Sequence, residues 1–193
     1  MSKIEKVTKT TDNRFLNMYD LDVVTKTGHK GLYHVASRAK DVSDLKLNTH
    51  VNKPDGVIIY ALYGEKREQV VLIRQYRFSI GGYIYEFPAG LVDEGENYHQ
   101  AGVRELKEET GYSCGSIEPL ITIRTTVAFC NEKIDIYLAR NLQKGQQHLD
   151  EDEFINVEAY SVEELKQMIY DCKIQDAKTI CGILTYASKY LSK

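Results

Sequence analysis

The order of strand-like and helix-like stretches restricts the fold of this chain more than any other feature. Two apolar runs, residues 57–62 and 70–73, flank the turn-rich Gly64-Glu65-Lys66-Arg67-Glu68-Gln69 and read as adjacent strands. A third strand over 83–87 is stopped by Pro88. Helical spacing follows over 97–110, then strand-like runs over 120–124, 134–140 and 154–160. Ser161-Val162-Glu163-Glu164 forms a capping box that opens a helix running to about Tyr170. A last helix is expected over 176–191, with Ile180, Ile183, Leu184 and Ala187 on one face. Regular strand–helix–strand alternation is missing, which favours an α+β fold or an irregular mixed sheet over a doubly wound one.

Upstream, residues 16–24 and 32–37 flank the turn-rich stretch 25–31 and read as an antiparallel hairpin. The polar stretch 39–50 reads as a linker. The expected organisation is therefore a small β appendage over 1–50 and a main domain over 51–193, within the length of one domain plus an appendage. With 25 basic and 28 acidic residues the net charge is −3, which argues against nucleic acid or an anionic membrane as partner. It does not argue against one small polyanion, because a bound cation inverts the local sign. Cys114, Cys130, Cys172 and Cys181 form no C-x-x-C pair, and no stretch approaches the ~18 apolar residues of a membrane span. A reduced, cytoplasmic protein is the expectation.

The chemistry is concentrated between Gly90 and Tyr112. On a helix, Glu105, Glu108 and Glu109 fall within about a third of the circumference, while Val103, Leu106 and Thr110 face the other way. Arg104 lies four residues before Glu108, in position to brace it. Three carboxylates on one face repel one another unless a positive charge sits among them, and an all-oxygen anionic set suits Mg²⁺ or Mn²⁺ rather than Zn²⁺. Gly90 and Gly95 permit tight turns before the helix, and Gly111 permits a left-handed end to it. A Glu/Lys-rich helix face alone is commonly solvated surface, so the full spacing carries the weight.

That spacing resembles the Nudix box, G-x5-E-x7-R-E-U-x-E-E-x-G-U with U apolar. Gly90, Glu96, Arg104, Glu105, Leu106, Glu108, Glu109 and Gly111 match it, and Tyr112 is the single departure, in the last apolar slot. Coincidence of the fixed positions in one chain has odds on the order of one in a million. The resemblance implies a Nudix α/β/α sandwich and divalent-metal-dependent hydrolysis of a nucleoside diphosphate linked to another group. It implies Glu105 and Glu109 as metal ligands, Glu108 as a further ligand or support, Arg104 as the group that orients the carboxylates, and Glu96 as a loop stabiliser.

The flanking Gln75-Tyr76-Arg77 and Glu86-Phe87-Pro88-Ala89-Gly90 are similar to the compact bacterial ADP-ribose pyrophosphatases. That group adds the Ala89 carbonyl as a metal ligand. From the acidic run Asp150-Glu151-Asp152-Glu153 it adds Glu151 as the water-activating base and Glu153 as a metal-linked carboxylate. Arg77, Glu86, Arg38 and Phe15 make up the expected substrate-binding set, Arg77 pairing with phosphate and Phe15 stacking a base. The group also implies a homodimer made by the N-terminal hairpin. One segment breaks the likeness: relatives carry a Ser-Pro-Gly-Phe-type loop where this chain has Thr126-Val127-Ala128-Phe129-Cys130-Asn131-Glu132. The expected substrate is ADP-ribose, with another nucleoside diphosphate sugar such as GDP-mannose as the alternative. A non-catalytic sensor of ADP-ribose or NAD metabolites has no need of the intact Glu105, Glu108 and Glu109.

Overall fold

A computed structural model describes residues 2–64, 69–149 and 154–191. The chain divides into two compact units, one running to Asp55 and including Arg124–Lys133, the other formed by Gly56–Ile123 and the chain from Ile134 onward.

In the N-terminal unit, β1 (Lys3–Lys9), β2 (Asn17–Val24) and β3 (Lys30–Ser37) form an antiparallel sheet in that order. The β2–β3 hairpin is the one expected from the turn residues. The strand β1 was not expected, because a register shift between Ile4 and Lys6 breaks the alternation by which a strand is read. Tyr19, Leu21 and Leu45 make a small core. Leu45 belongs to the stretch read as linker. It lies between a helical turn at Val42–Asp44 and the short α1 (Lys46–Thr49), so the polar composition of 39–50 concealed an anchored segment. Residues 124–133 join this unit by backbone pairing: the Ala36 N–H donates to the Phe129 carbonyl at 2.7 Å, and the Asn131 N–H to the Ala36 carbonyl at 3.3 Å.

The second unit is built on β4 (Gly56–Tyr63), β5 (Gln69–Arg77), β6 (Gly82–Glu86), β7 (Ala89–Leu91), β8 (Tyr112–Arg124), β9 (Lys133–Lys144) and β10 (Ile155–Ser161). The main sheet runs β10-β5-β4-β9-β8, with β6 beside β5 and β7 beside β4. The β4–β9 pair is parallel, whereas β5 runs antiparallel to β4, β6 and β10, so the sheet is mixed.

Both faces of β4 are buried, which explains its unbroken apolar run. Ile58, Tyr60 and Leu62 pack with Val162 and Leu165 of α3 (Val162–Tyr170) and with Ile183 and Tyr186 of α4 (Ala177–Tyr186). Val57, Ile59 and Ala61 face the opposite way, onto Ala101 and Leu106 of α2 (Tyr98–Thr110). Helices on both faces of a mixed sheet make the expected α/β/α sandwich.

Three elements differ most from expectation. The strand β8 starts at Tyr112 rather than near 120, because an edge strand tolerates Pro119 and half-exposed residues that disguise it in the sequence. The three-residue β7 is too short to show a period. The last helix changes to a π-helical turn over Ala187–Leu191, while its apolar spacing continues.

Candidate active site

Helix α2 is fixed at both ends. Asn97 caps α2, its side chain accepting from the Gln100 N–H at 2.9 Å, while the Gln100 side chain accepts from the Asn97 N–H at 3.0 Å. Gly111 ends the helix at φ 76°. The carbonyls left over at that end are taken up by the segment before the acidic run: Gly145 N–H donates to Gly111, His148 N–H to Glu108, and the Gln147 amide to Glu109.

Arg104 is the hub of the site. Its Nε and Nη2 grip the two oxygens of Glu96 at 3.0 and 2.9 Å, a fork that fits one carboxylate. Its Nη1 donates to Glu105 at 2.8 Å and to Glu108 at 3.1 Å, and Nη2 also reaches the Leu91 carbonyl at 3.1 Å. One guanidinium thus ties the loop at Leu91 and Glu96 to the helix face carrying Glu105 and Glu108. The pairing raises the Arg104 pKa, Glu96 contributing most, and Arg104 holds the Glu96 carboxyl below the usual carboxylate range.

Glu105 and Glu109 both approach β7. A Cβ on Gly90 would lie 1.7 Å from Glu105 Oε1, so only glycine lets that carboxylate lie against the backbone. Glu109 is buried, 3% exposed, and its Oε2 accepts from the Ala89 N–H at 2.9 Å. The donors gathered here are oxygens, which fit a hard divalent cation. Among the described residues no three His, Cys, Asp or Glu side chains converge closely enough to hold a metal on their own.

On the next strand pair, Arg77 Nε and Nη2 donate to the two oxygens of buried Glu86 at 3.1 and 2.5 Å. This pair raises the Arg77 pKa, opposed by burial, and the nearby charges of Glu109 and Asp176 add to the rise. Sequence reasoning gave no role to the support behind this stretch. Asp176 caps α4 through Thr179, and the Thr179 hydroxyl accepts from the Phe87 N–H at 3.3 Å, fixing the backbone two residues before Ala89. The Asp176-x-x-Thr179 spacing of an N-cap was the signal available.

The structure therefore brings Ala89, Glu96, Arg104, Glu105, Glu108 and Glu109 together, and places Arg77 with Glu86. Phe15 and Arg38 belong to the N-terminal unit. Phe15 is exposed, with the Arg14 guanidinium 4.7 Å above its ring, and Arg38 donates to Glu132 at 2.9 and 3.3 Å. Glu151 and Glu153 lie outside the described residues.

Comparison with known proteins follows the same lines. The NUDIX domain profile matches residues 52–180. The chain is 36% identical over 135 residues to a methanol dehydrogenase activator of Bacillus methanolicus, covering 69% of this chain and 72% of that protein. It is 31% identical over 143 residues to an ADP-ribose pyrophosphatase of Bacillus subtilis, covering 73% and 74%. A crystal structure of an ADP compounds hydrolase superposes with a TM-score of 0.78 at 20% identity, covering 97% of this chain and 92% of that one, a likeness of fold.

Proposed function

The chain belongs to the NUDIX domain family of hydrolases, and on that premise we propose that it hydrolyses ADP-ribose to AMP and ribose 5-phosphate. The observation that carries this reading is the carboxylate face assembled by Arg104 against Gly90 and Ala89. The ADP-ribose pyrophosphatase of Bacillus subtilis, matched over 74% of its length, supports the choice of substrate.

Nudix hydrolases generally need divalent metals. Glu105, Glu109, the Ala89 carbonyl and Glu153 would hold Mg²⁺ or Mn²⁺, with Glu108 in support. Held there, a divalent metal would supply charge to offset the diphosphate and to make a bound water more acidic. Glu151 takes the proton of the attacking water. The oxygen of that water joins one phosphorus as the bridging P–O bond breaks, and the bridging oxygen leaves with the other phosphate. Arg104 keeps Glu105 and Glu108 from moving apart. Arg77 pairs with the diphosphate through its guanidinium fork, which Glu86 holds in the free enzyme. Arg38 and Phe15 belong to the substrate-binding set that the resemblance implies, Phe15 by stacking a base.

The working form is a homodimer made through the N-terminal strands. This accounts for Ile4, Leu32 and Tyr33 being exposed on so small a sheet. No helix among the described residues is long and apolar enough to cross a membrane. The four free cysteines support a reducing, cytoplasmic setting.

Val127-Ala128, in place of the Ser-Pro-Gly-Phe pattern, supports a second reading in which another nucleoside diphosphate sugar is preferred. The activator of Bacillus methanolicus supports a third, activation of a dehydrogenase. A panel of ADP-ribose, GDP-mannose, UDP-glucose, diadenosine polyphosphates and CoA with Mg²⁺ or Mn²⁺ separates these. ADP-ribose should give the highest kcat/KM. Survival of every compound at micromolar enzyme would remove the hydrolase reading, and stimulation of a methanol dehydrogenase without any turnover of the panel would favour the third.

A further inference from the structure

One buried polar group near the candidate site has no partner to satisfy it among the described residues. Gln75 is 8% exposed, its Oε1 is shut off from solvent, and that oxygen accepts no hydrogen bond. An orphaned acceptor of this kind destabilises the fold that carries it. Its place in the sheet says what it is next to. In the β5–β6 ladder Ile73 faces Glu86, Gln75 faces Ile84 and Arg77 faces Gly82. Residues two apart on a strand share a face, so Ile73, Gln75, Arg77, Ile84 and Glu86 lie on one side of the sheet. The Arg77–Glu86 ion pair joins the two ends of that set, and so it passes over the Gln75–Ile84 pair between them. The side chain with the unsatisfied oxygen therefore shares a sheet face with a guanidinium whose Nε and Nη2 are aimed at Glu86.

We propose that Gln75 is a positioning residue for Arg77: when a diphosphate draws the guanidinium from Glu86, Gln75 Oε1 accepts one of its N–H groups and fixes the fork against the phosphate. The inference rests on the reading of Arg77 as a diphosphate ligand. It explains why a buried amide is left unsatisfied here: its partner is present and turned elsewhere. A planar cation with five donors can keep one for the amide while two face a phosphate.

The test is a double-mutant cycle read on ADP-ribose affinity and KM. Gln75→Met keeps the side-chain volume and removes the acceptor. It should weaken metal-free ADP-ribose binding and raise KM about tenfold, with kcat within about twofold, while Tm stays level or rises because the orphaned group is gone. Arg77→Met should weaken binding at least as much, and adding Gln75→Met to it should cost nothing further. Gln75→Glu, which restores an acceptor of the same shape, should recover part of the affinity. Full additivity of the two Met substitutions would overturn the proposal. So would a Gln75→Met protein with higher Tm and unchanged KM, or one with lowered Tm and lost kcat. If Arg77→Met leaves affinity unchanged, or the wild type binds no ADP-ribose, the reading of the site fails first and this inference with it.

Discussion

Glu105 lies against the backbone of Gly90 because nothing projects from that residue, and the helix face is usable only while this holds. Gly90→Ala places a methyl where Glu105 Oε1 now is and must displace that carboxylate. A displacement of this size at a reacting centre costs about 10²-fold in rate, so kcat should fall by that order with a smaller change in KM, as steady-state kinetics will show. Glu96 has its own signature. Arg104 holds its pKa below the ordinary 4.5, so its contribution to stability is present above that value and lost as pH falls through the lowered one. Melting temperature should drop on acidification below about pH 4.5. Glu96→Gln should lower Tm at neutral pH and flatten that acid limb in calorimetry. The contact of Arg104 with Glu108 was legible from spacing, whereas its grip on Glu96 was not. Thr179 behind Phe87 was not, because a cap that also receives a distant N–H leaves only half its pattern in the sequence.

Among the elements, α2 and the loop before it were readable because cap, apolar face and terminal glycine all fall at fixed offsets. The strands β1, β7 and the first half of β8 were hidden by a register shift, by shortness and by an edge position. The packing of α4 could not be read either, and it gives a test. A Cβ on Gly182 would lie 2.8 Å from the ring of buried Phe87. Alanine gains about 1 kcal/mol of helix propensity over glycine, but overpacking costs about 1–3 kcal/mol. Phe87 is enclosed and cannot yield cheaply, so Gly182→Ala should lower Tm. It should also lower kcat, because Phe87 stands two residues from Ala89. A Tm equal to wild type would show that the ring has room to shift.

At the scale of the molecule, the net charge of −3 conceals an uneven distribution: Glu96, Glu105, Glu108 and Glu109 are gathered within one loop and helix. The chain forms two compact units, and the β2–β3 hairpin of the first was legible in its turn residues. That residues 124–133 pair with β3 was not, since the pairing is backbone to backbone across a long stretch of sequence. This is also the segment that departs from the ADP-ribose pattern, so the choice of substrate rests on residues whose setting the sequence conceals. If the exposed apolar residues of the N-terminal sheet meet a second copy, sedimentation should give about twice 22.1 kDa, and a monomer would remove the homodimer. The central claim is that the box carboxylates run a metal-dependent hydrolysis, and the most direct measurement is AMP release from ADP-ribose with Mg²⁺, wild type beside Glu109→Gln. The amide oxygen that this substitution introduces can still accept from the Ala89 N–H, so the fold should survive with Tm within a few degrees. Wild type should release AMP, and the variant should lose about a thousandfold or more. A folded Glu109→Gln protein that releases AMP at the wild-type rate would contradict the account.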